Sequence, residues 1–324
     1  MKQNKFIKSI GLIVLAITVL NSVVACKNIP KKKVENKTPF FKLSLAQWSF
    51  HRAFRSGDTS PYEFAKMAHE LGFEGLEYVS ALYPDVMNSE DKPAAIQNFV
   101  SRNNALAVEY KMQNVLIMVD SEGDLSSSNE EARMTAIENH KLWIKAAHDM
   151  KCTSVRLNLY GEKDPDKWIE NSIKSLAVLS DYAAPLNINV IVENHGRITS
   201  NVPLLMQAIN GSQKSNCGTL PDFGNFCIAE EGYGSVFDGS CKEIYDFYKG
   251  VTEMMPRAFG VSAKSNDFDA EGNETTLDFM KLMTIVKEAG YTGFVGVEYE
   301  GFRLSEKEGI IATKKLLETI GAKL

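Results

Sequence analysis

The chain is short of the residues that most often announce chemistry. It has five histidines and five cysteines in 324 residues, and no two cysteines stand in a CxxC pair. Zinc-ribbon and thioredoxin-like readings therefore fail. HExxH, GxSxG and GxxxxGK[ST] are absent, which removes zincin, serine-hydrolase and P-loop readings. No Gly-rich turn follows the first apolar run, so nothing suggests a dinucleotide-binding fold. Basic residues are also scarce where they would matter. Residues 1–40 hold eight Lys and one Glu; taking these from 36 basic and 41 acidic residues leaves 28 and 40, a net charge of −12. Nucleic-acid binding depends on neutralising phosphates, so no nucleic-acid partner is expected. A cation or a neutral polar substrate suits such a domain.

The first residues are unlike the rest. Lys2, Lys5 and Lys8 precede an apolar run from Ile10 to Leu20, and Val23-Val24-Ala25-Cys26 follows. This is the layout of a secretory signal, and the run is shorter than the ~20 apolar residues of a membrane span. A Cys directly after Val-Val-Ala resembles the lipobox of bacterial lipoproteins. That resemblance implies a signal peptide over 1–26, lipidation at Cys26, and export with a membrane contact only through the lipid. The lack of acidic residues just after Cys26 favours a periplasm-facing anchor. Residues 27–40 are polar and basic without apolar periodicity, and read as a tether. In an oxidising compartment, disulfides and packed thiols are equally compatible with Cys152, Cys217, Cys227 and Cys241.

Residues 41–324 read as one domain. Strands are expected at Leu43–Trp48, Gly75–Val79, Asn114–Val119, Ser154–Leu159, Asn189–Glu193, Cys217–Leu220, Phe259–Ala263 and Phe294–Glu298. Amphipathic segments lie between them: Tyr62–Leu71 (after Ser60-Pro61), Lys92–Leu106, Glu130–Met150, Pro165–Leu186, Val202–Asn210, Lys242–Met255, Thr276–Ala289 and Glu306–Ile320. The apolar spacing is helical. Gly72 and Gly290 stand just past helix ends, where a left-handed residue is favoured. Eight βα units with no linker predict an α/β fold, a (β/α)8 TIM barrel. The Gly-rich stretch from Asp222 to Ser240 reads as a long loop over the barrel mouth.

In such barrels the C-terminal strand ends carry the chemistry. Those ends offer Trp48 and His51, Glu77, Arg156 and Asn158, Glu193, His195 and Arg197, Asp222, Lys264, and Glu298 with Tyr299. Glu193, Asp222 and Glu298 each follow a run that should be buried. Three carboxylates converging in one mouth repel each other unless a cation lies between them. Hard oxygen ligands suit Mn²⁺ or Mg²⁺, with Zn²⁺ or Co²⁺ if imidazole joins. Pairing with Arg156, Arg197 and Lys264 is the competing explanation. His51 and His195 sit where substrate contact or acid–base work is expected, whereas His69, His140 and His148 fall in helical patterns. Trp48, Tyr78 and Tyr299 are candidates to stack on the flat face of a ligand.

Together, Val190-Ile-Val-Glu193-Asn-His195-Gly, Leu220-Pro-Asp222-Phe-Gly and Gly293-Phe-Val-Gly-Val-Glu298-Tyr-Glu-Gly301 resemble the xylose isomerase-like sugar isomerase/epimerase superfamily, from about Leu43 to Ile320. The resemblance implies one divalent metal on Glu193, Asp222 and Glu298, and proton transfer beside a sugar carbonyl. It casts Glu193, Glu298, Lys264 and His195 as catalytic, with His51, Trp48, Glu77, Asn158, Arg197 and Tyr299 on the substrate. The chain departs from the pattern where Ser262 stands in place of a metal-binding histidine and Asn225 where a further histidine is common. Export points to a non-phosphorylated sugar or glycoside. A 3-keto-glycoside lyase or hydratase on the same site and a non-catalytic sugar-binding lipoprotein are the alternatives. A nuclease of the related endonuclease IV type would need a His-rich, multi-zinc mouth. Homo-oligomerisation is left open by the sequence.

Overall fold

The apolar runs become eight strands and the amphipathic stretches become helices. A computed structural model describes residues 38–228, 236–237 and 239–324. The strands are β1 Lys42–Ala46, β2 Gly75–Val79, β3 Gln113–Met118, β4 Ser154–Leu157, β5 Asn189–Glu193, β6 Cys217–Leu220, β7 Val261–Ser265 and β8 Phe294–Tyr299. All paired neighbours are parallel, in the order β6-β5-β4-β3-β2-β1-β8-β7. The barrel closes between β6 and β7 through single bridges, Thr219 to Ala258 and Asp222 to Ser262. Pro221 has no N–H to give that seam, but its carbonyl accepts from the Ser262 amide at 2.9 Å. Gly218 lets the seam approach closely, because a Cβ there would lie 2.3 Å from the Arg257 carbonyl oxygen.

The α-helices are α1 His51–Ser56, α2 Phe64–Glu70, α3 Pro84–Met87, α4 Lys92–Glu109, α5 Glu130–Asp149, α6 Pro165–Ala183, α7 Val202–Gly211, α8 Phe247–Met254, α9 Phe279–Glu288 and α10 Glu306–Gly321. Several begin behind a side-chain cap, as orphan N–H groups require: Asp91, Asn129, Asp164, Asp246, Asp278, and Ser305, which makes a capping box with Glu308. These caps correct two expected boundaries. Asp246 starts α8 five residues later than the apolar spacing suggested, because Glu243 to Tyr245 hydrogen-bonds back to Phe226 and Ile228. Asp278 likewise starts α9 late, since Thr276 and Leu277 give their amides to the Glu274 carboxylate. Strand β7 begins two residues after its expected start. Gly72 and Gly290 have φ of +71° and +76°, the left-handed geometry expected of them.

Strand side chains alternate between the barrel interior and the helices. Outward residues build the core: Tyr78 packs edge-on against Phe64 and Phe99, and Phe99 against Tyr83 and Trp143. Each such fully buried side chain contributes roughly 1.5–3 kcal/mol. Inward positions differ in chemistry: Ser44, Glu77, Arg156, Glu193, Ser262, Lys264 and Glu298 are polar and buried. Cys227 and Cys241 form a disulfide, and Cys152 and Cys217 are buried thiols.

Candidate active site

Alternation at the strand ends turns Glu193 (β5), Asp222 (just past β6) and Glu298 (β8) toward one point. One oxygen from each lies within 4.8 Å of the others, and all three residues are buried. The seam bridge places Asp222 beside Ser262, whose hydroxyl oxygen is 2.7 Å from Asp222 Oδ2 and 2.8 Å from Glu298 Oε2. A hydroxyl has a single proton, so it donates to one of these carboxylates at a time. Asp222 Oδ1 also accepts from the amides of Gly224 and Asn225.

Among the described residues, two cations reach the cluster. Lys264 Nζ is 3.8 Å from Asp222, 3.6 Å from Glu298 and 3.4 Å from Glu300, and donates to Asn225 Oδ1 at 3.2 Å. Arg156 Nε lies 3.0 Å from Glu193 Oε2, close enough for an ion pair although its N–H is not aligned for a hydrogen bond. Its Nη1 pairs with Asp120 Oδ1 at 2.7 Å. Asn225 Nδ2 donates to Glu193 at 3.0 Å. Five carboxylates (Asp120, Glu193, Asp222, Glu298 and Glu300) thus share two cations. Burial pushes Glu298 up to about 8 against the pull of Lys264, with Glu193 and Asp222 adding repulsion. Burial likewise pushes Asp222 up to about 6. Glu193 is also raised by burial, despite Arg156 and Lys264. Burial would lift Glu300 too, but Lys264 and the Trp48 indole hold it below the usual carboxylate range. A surplus of buried negative charge on oxygen donors is what a divalent cation would satisfy. Glu193, Asp222 and Glu298 therefore fit such an ion, with Ser262 as a hydroxyl where a histidine was expected.

Above the cluster lies a mouth cavity of about 570 Å³. Lys264, Asn225 and Glu300 line it together with Trp48, Asn158 and His195. The three converging carboxylates do not line it themselves; Asn225 and Lys264 connect them to its floor. The Trp48 indole N–H donates to Glu300, and Arg55 lies over the Trp48 ring at 4.6 Å. His195 Nδ1 is 2.9 Å from both Asn158 Oδ1 and the Tyr160 hydroxyl. Burial, then Arg156 and Lys264, lower His195 to about 4, so it is neutral at physiological pH.

Five residues expected at the substrate are elsewhere. Glu77 points into the barrel, takes a hydrogen bond from Ser44 Oγ at 2.5 Å, and borders a cavity at the opposite end with Gly293 and Phe294. Tyr299 is buried on the outward face, its ring beside Phe268 and its hydroxyl near the Leu304 carbonyl, because its strand neighbours Glu298 and Glu300 take the inward side. Tyr78 is outward for the same reason. Arg197 is exposed and borders a shallow depression beside the mouth. His51 stands behind the wall, stacked on Trp48 at 4.8 Å with Nδ1 on the Trp48 carbonyl. Asp120, Tyr160 and Glu300 escaped the sequence reading. Glu300 had a signal, since it shares the parity of Glu298. The described flanks of the 222–240 loop do reach the mouth through Cys227, Val236 and Phe237.

With the geometry in place, comparison with known proteins defines the class. The profile of the xylose isomerase-like TIM barrel family matches residues 65–320. The chain belongs to that family. Several solved structures share the fold at low identity. A D-tagatose 3-epimerase-like protein aligns with TM-score 0.62 and 16% identity, over 86% of this chain and 97% of that one. The 3-keto-D-glucoside 4-epimerase of E. coli aligns with TM-score 0.60 and 14% identity, over 86% and 99%. A xylose isomerase-like TIM barrel protein from Mycobacterium smegmatis, in complex with magnesium, aligns with TM-score 0.61 and 15% identity, over 89% and 99%. Among curated proteins, the C-glycoside deglycosidase alpha subunit of Arthrobacter globiformis is 35% identical over 66 residues, which is 19% of each chain.

Proposed function

We propose that the chain is a divalent-metal-assisted isomerase or epimerase that takes a proton from the carbon beside a carbonyl of a non-phosphorylated sugar or glycoside. The convergence of Glu193, Asp222 and Glu298 beneath a sugar-sized cavity carries this reading. Glu193, Asp222 and Glu298 would hold the cation, of which Mn²⁺, Mg²⁺, Co²⁺ and Zn²⁺ are the candidates. Such an ion supplies positive charge that polarises a carbonyl oxygen. Glu193 and Glu298 come from well-separated strands, so one removes a proton and the other returns it. Return from the opposite face gives an epimer; return to the neighbouring carbon gives aldose–ketose isomerisation. Lys264 holds a proton firmly, well above its ordinary range, because Asp222, Glu298 and Glu300 outweigh the cost of burial. It donates to an oxygen rather than accepting a proton. Asp120, Glu122, Asp124 and Glu300 line the cavity against Lys264 and Arg55, which supports a neutral ligand over a phosphate.

A lyase reading is favoured by the two glycoside-related resemblances, the 3-keto-D-glucoside epimerase and the C-glycoside deglycosidase subunit. Loss of a β-substituent from the same carbanion gives elimination. The test is metal analysis of purified protein, with deuterium exchange from heavy water into D-tagatose, D-fructose and methyl 3-keto-glucoside. Glu193→Gln and Glu298→Gln should each lower exchange by about 10²-fold or more. Full turnover in both variants overturns the mechanism. Sugar binding unchanged by a chelator, with no exchange, would instead mark a binding protein.

We also infer export and lipidation at Cys26, residues 1–37 lying outside the described ones. The Cys227–Cys241 bond supports an oxidising compartment. Cys26→Ser should lose incorporation of labelled palmitate and release the protein from the membrane fraction; unchanged labelling refutes lipidation there.

A further inference from the structure

Asp120 stands two residues past β3, in a loop with no motif, yet two arms of the site meet on its Oδ1. Arg156 Nη1 is 2.7 Å away and Asn158 Nδ2 is 2.6 Å away. The second contact fixes a proton some distance off. An ionised carboxylate only accepts, so the Asn158 atom facing it must be the amide nitrogen. That settles the amide orientation by chemistry rather than by shape. The other end of the amide, Oδ1, then faces His195 Nδ1 at 2.9 Å. An amide oxygen only accepts, so Nδ1 must carry the hydrogen. On a ring that carries one hydrogen this leaves Nε2 as the lone-pair nitrogen. The Tyr160 hydroxyl, also 2.9 Å from Nδ1, can share that donor and give its own proton elsewhere. His195, Asn158, Tyr160 and Asp120 all line the mouth cavity.

We propose that Asp120, acting through Asn158, is a positioning residue that holds His195 as its Nδ1–H tautomer and so makes Nε2 the acceptor for a hydroxyl of the bound sugar. The second half rests on the reading of the cavity as a sugar site; the first half does not. Because Asp120 also braces Arg156 against Glu193, it ties the hydroxyl-binding side of the mouth to the carboxylate cluster. Asn158 touches only the histidine arm, so its variants separate the two effects.

The experiment is two-bond proton–nitrogen correlation NMR of the purified protein labelled with ¹⁵N-histidine at neutral pH. The His195 signals are those lost in His195→Gln. Wild type should show a single Nδ1–H pattern. Asn158→Leu and Asp120→Ala should lose it in favour of a tautomer mixture, while Tyr160→Phe should keep it. A wild-type ring protonated on Nε2, or on both nitrogens, overturns the proposal, as does an unchanged pattern in folded Asn158→Leu. The wild-type spectrum decides even where a variant does not fold. Titration with D-tagatose, D-fructose and methyl 3-keto-glucoside should shift the Nε2 resonance for at least one sugar. No shift with any of them overturns the substrate contact while leaving the tautomer assignment standing. The two halves therefore fail on separate signals.

Discussion

Glu77 offers the cleanest physical test, because it is a buried carboxyl away from the converging carboxylates. It is 1% exposed, Ser44 donates to Oε1, and among the described residues Oε2 has no hydrogen-bond partner. Burial pushes its carboxyl from 4.5 up to about 7, against the Ser44 hydrogen bond and Arg156, with Glu193 adding to the rise. The sign follows directly. The folded protein keeps this proton to higher pH than the unfolded chain does. The stability linked to it is whole below about pH 4.5 and is lost as pH climbs through 7. At ~1.4 kcal/mol per pH unit, the total is about 3 kcal/mol. Glu298 and Asp222 tilt wild-type stability in the same direction, so the informative quantity is a difference. Glu77→Gln keeps the shape and the Ser44 contact but cannot ionise. Urea unfolding of wild type and Glu77→Gln at pH 5 and pH 8 measures it. Relative to wild type, the variant should gain about 3 kcal/mol between the acid and alkaline ends. Ser44→Ala should steepen the wild-type fall by removing a donor to the charged form. Parallel stability curves for wild type and Glu77→Gln would refute the argument that this carboxyl is held protonated by burial.

Two further expectations follow from the site and its loop. Lys264→Met removes a buried cation from among Asp222, Glu298 and Glu300, which should cost about 3–5 kcal/mol; added Mn²⁺ should raise the thermal midpoint of this variant more than that of wild type, and an equal or smaller rise would count against a cation at the carboxylates. The Cys227–Cys241 bond closes a loop with a sequence separation of 14, for which chain entropy suggests about 3 kcal/mol. Reductant should therefore lower the melting temperature by several degrees in wild type but not in a Cys227→Ser, Cys241→Ser double variant, and a reductant-insensitive wild type would contradict the pairing.

Residue order alone was enough for the barrel and for the converging carboxylates. Short apolar runs alternating with amphipathic helices admit few arrangements, and Gly72 and Gly290 mark helix ends by backbone sterics that act locally. Glu193, Asp222 and Glu298 were legible because each carboxylate ends a run that must be buried, and parallel barrels put such ends at one mouth. What escaped depended on parity and on partners from other strands. A strand shows opposite faces to consecutive residues, so Tyr299 went outward and Glu300 inward, although the sequence offered both. Glu77 sits on an inward position but too far from the strand end to reach the mouth. Asp120 has no sequence signal, since its role exists only once β3, β4 and β5 bring Arg156, Asn158 and His195 around it. The pairing of Cys227 with Cys241, and the hydroxyl of Ser262 between two carboxylates, were likewise decided by the fold. Ser262 lies 40 and 36 residues from Asp222 and Glu298 and meets them only where the barrel closes, whereas Cys227 and Cys241 are 14 apart and spacing alone does not choose that pair among the four cysteines.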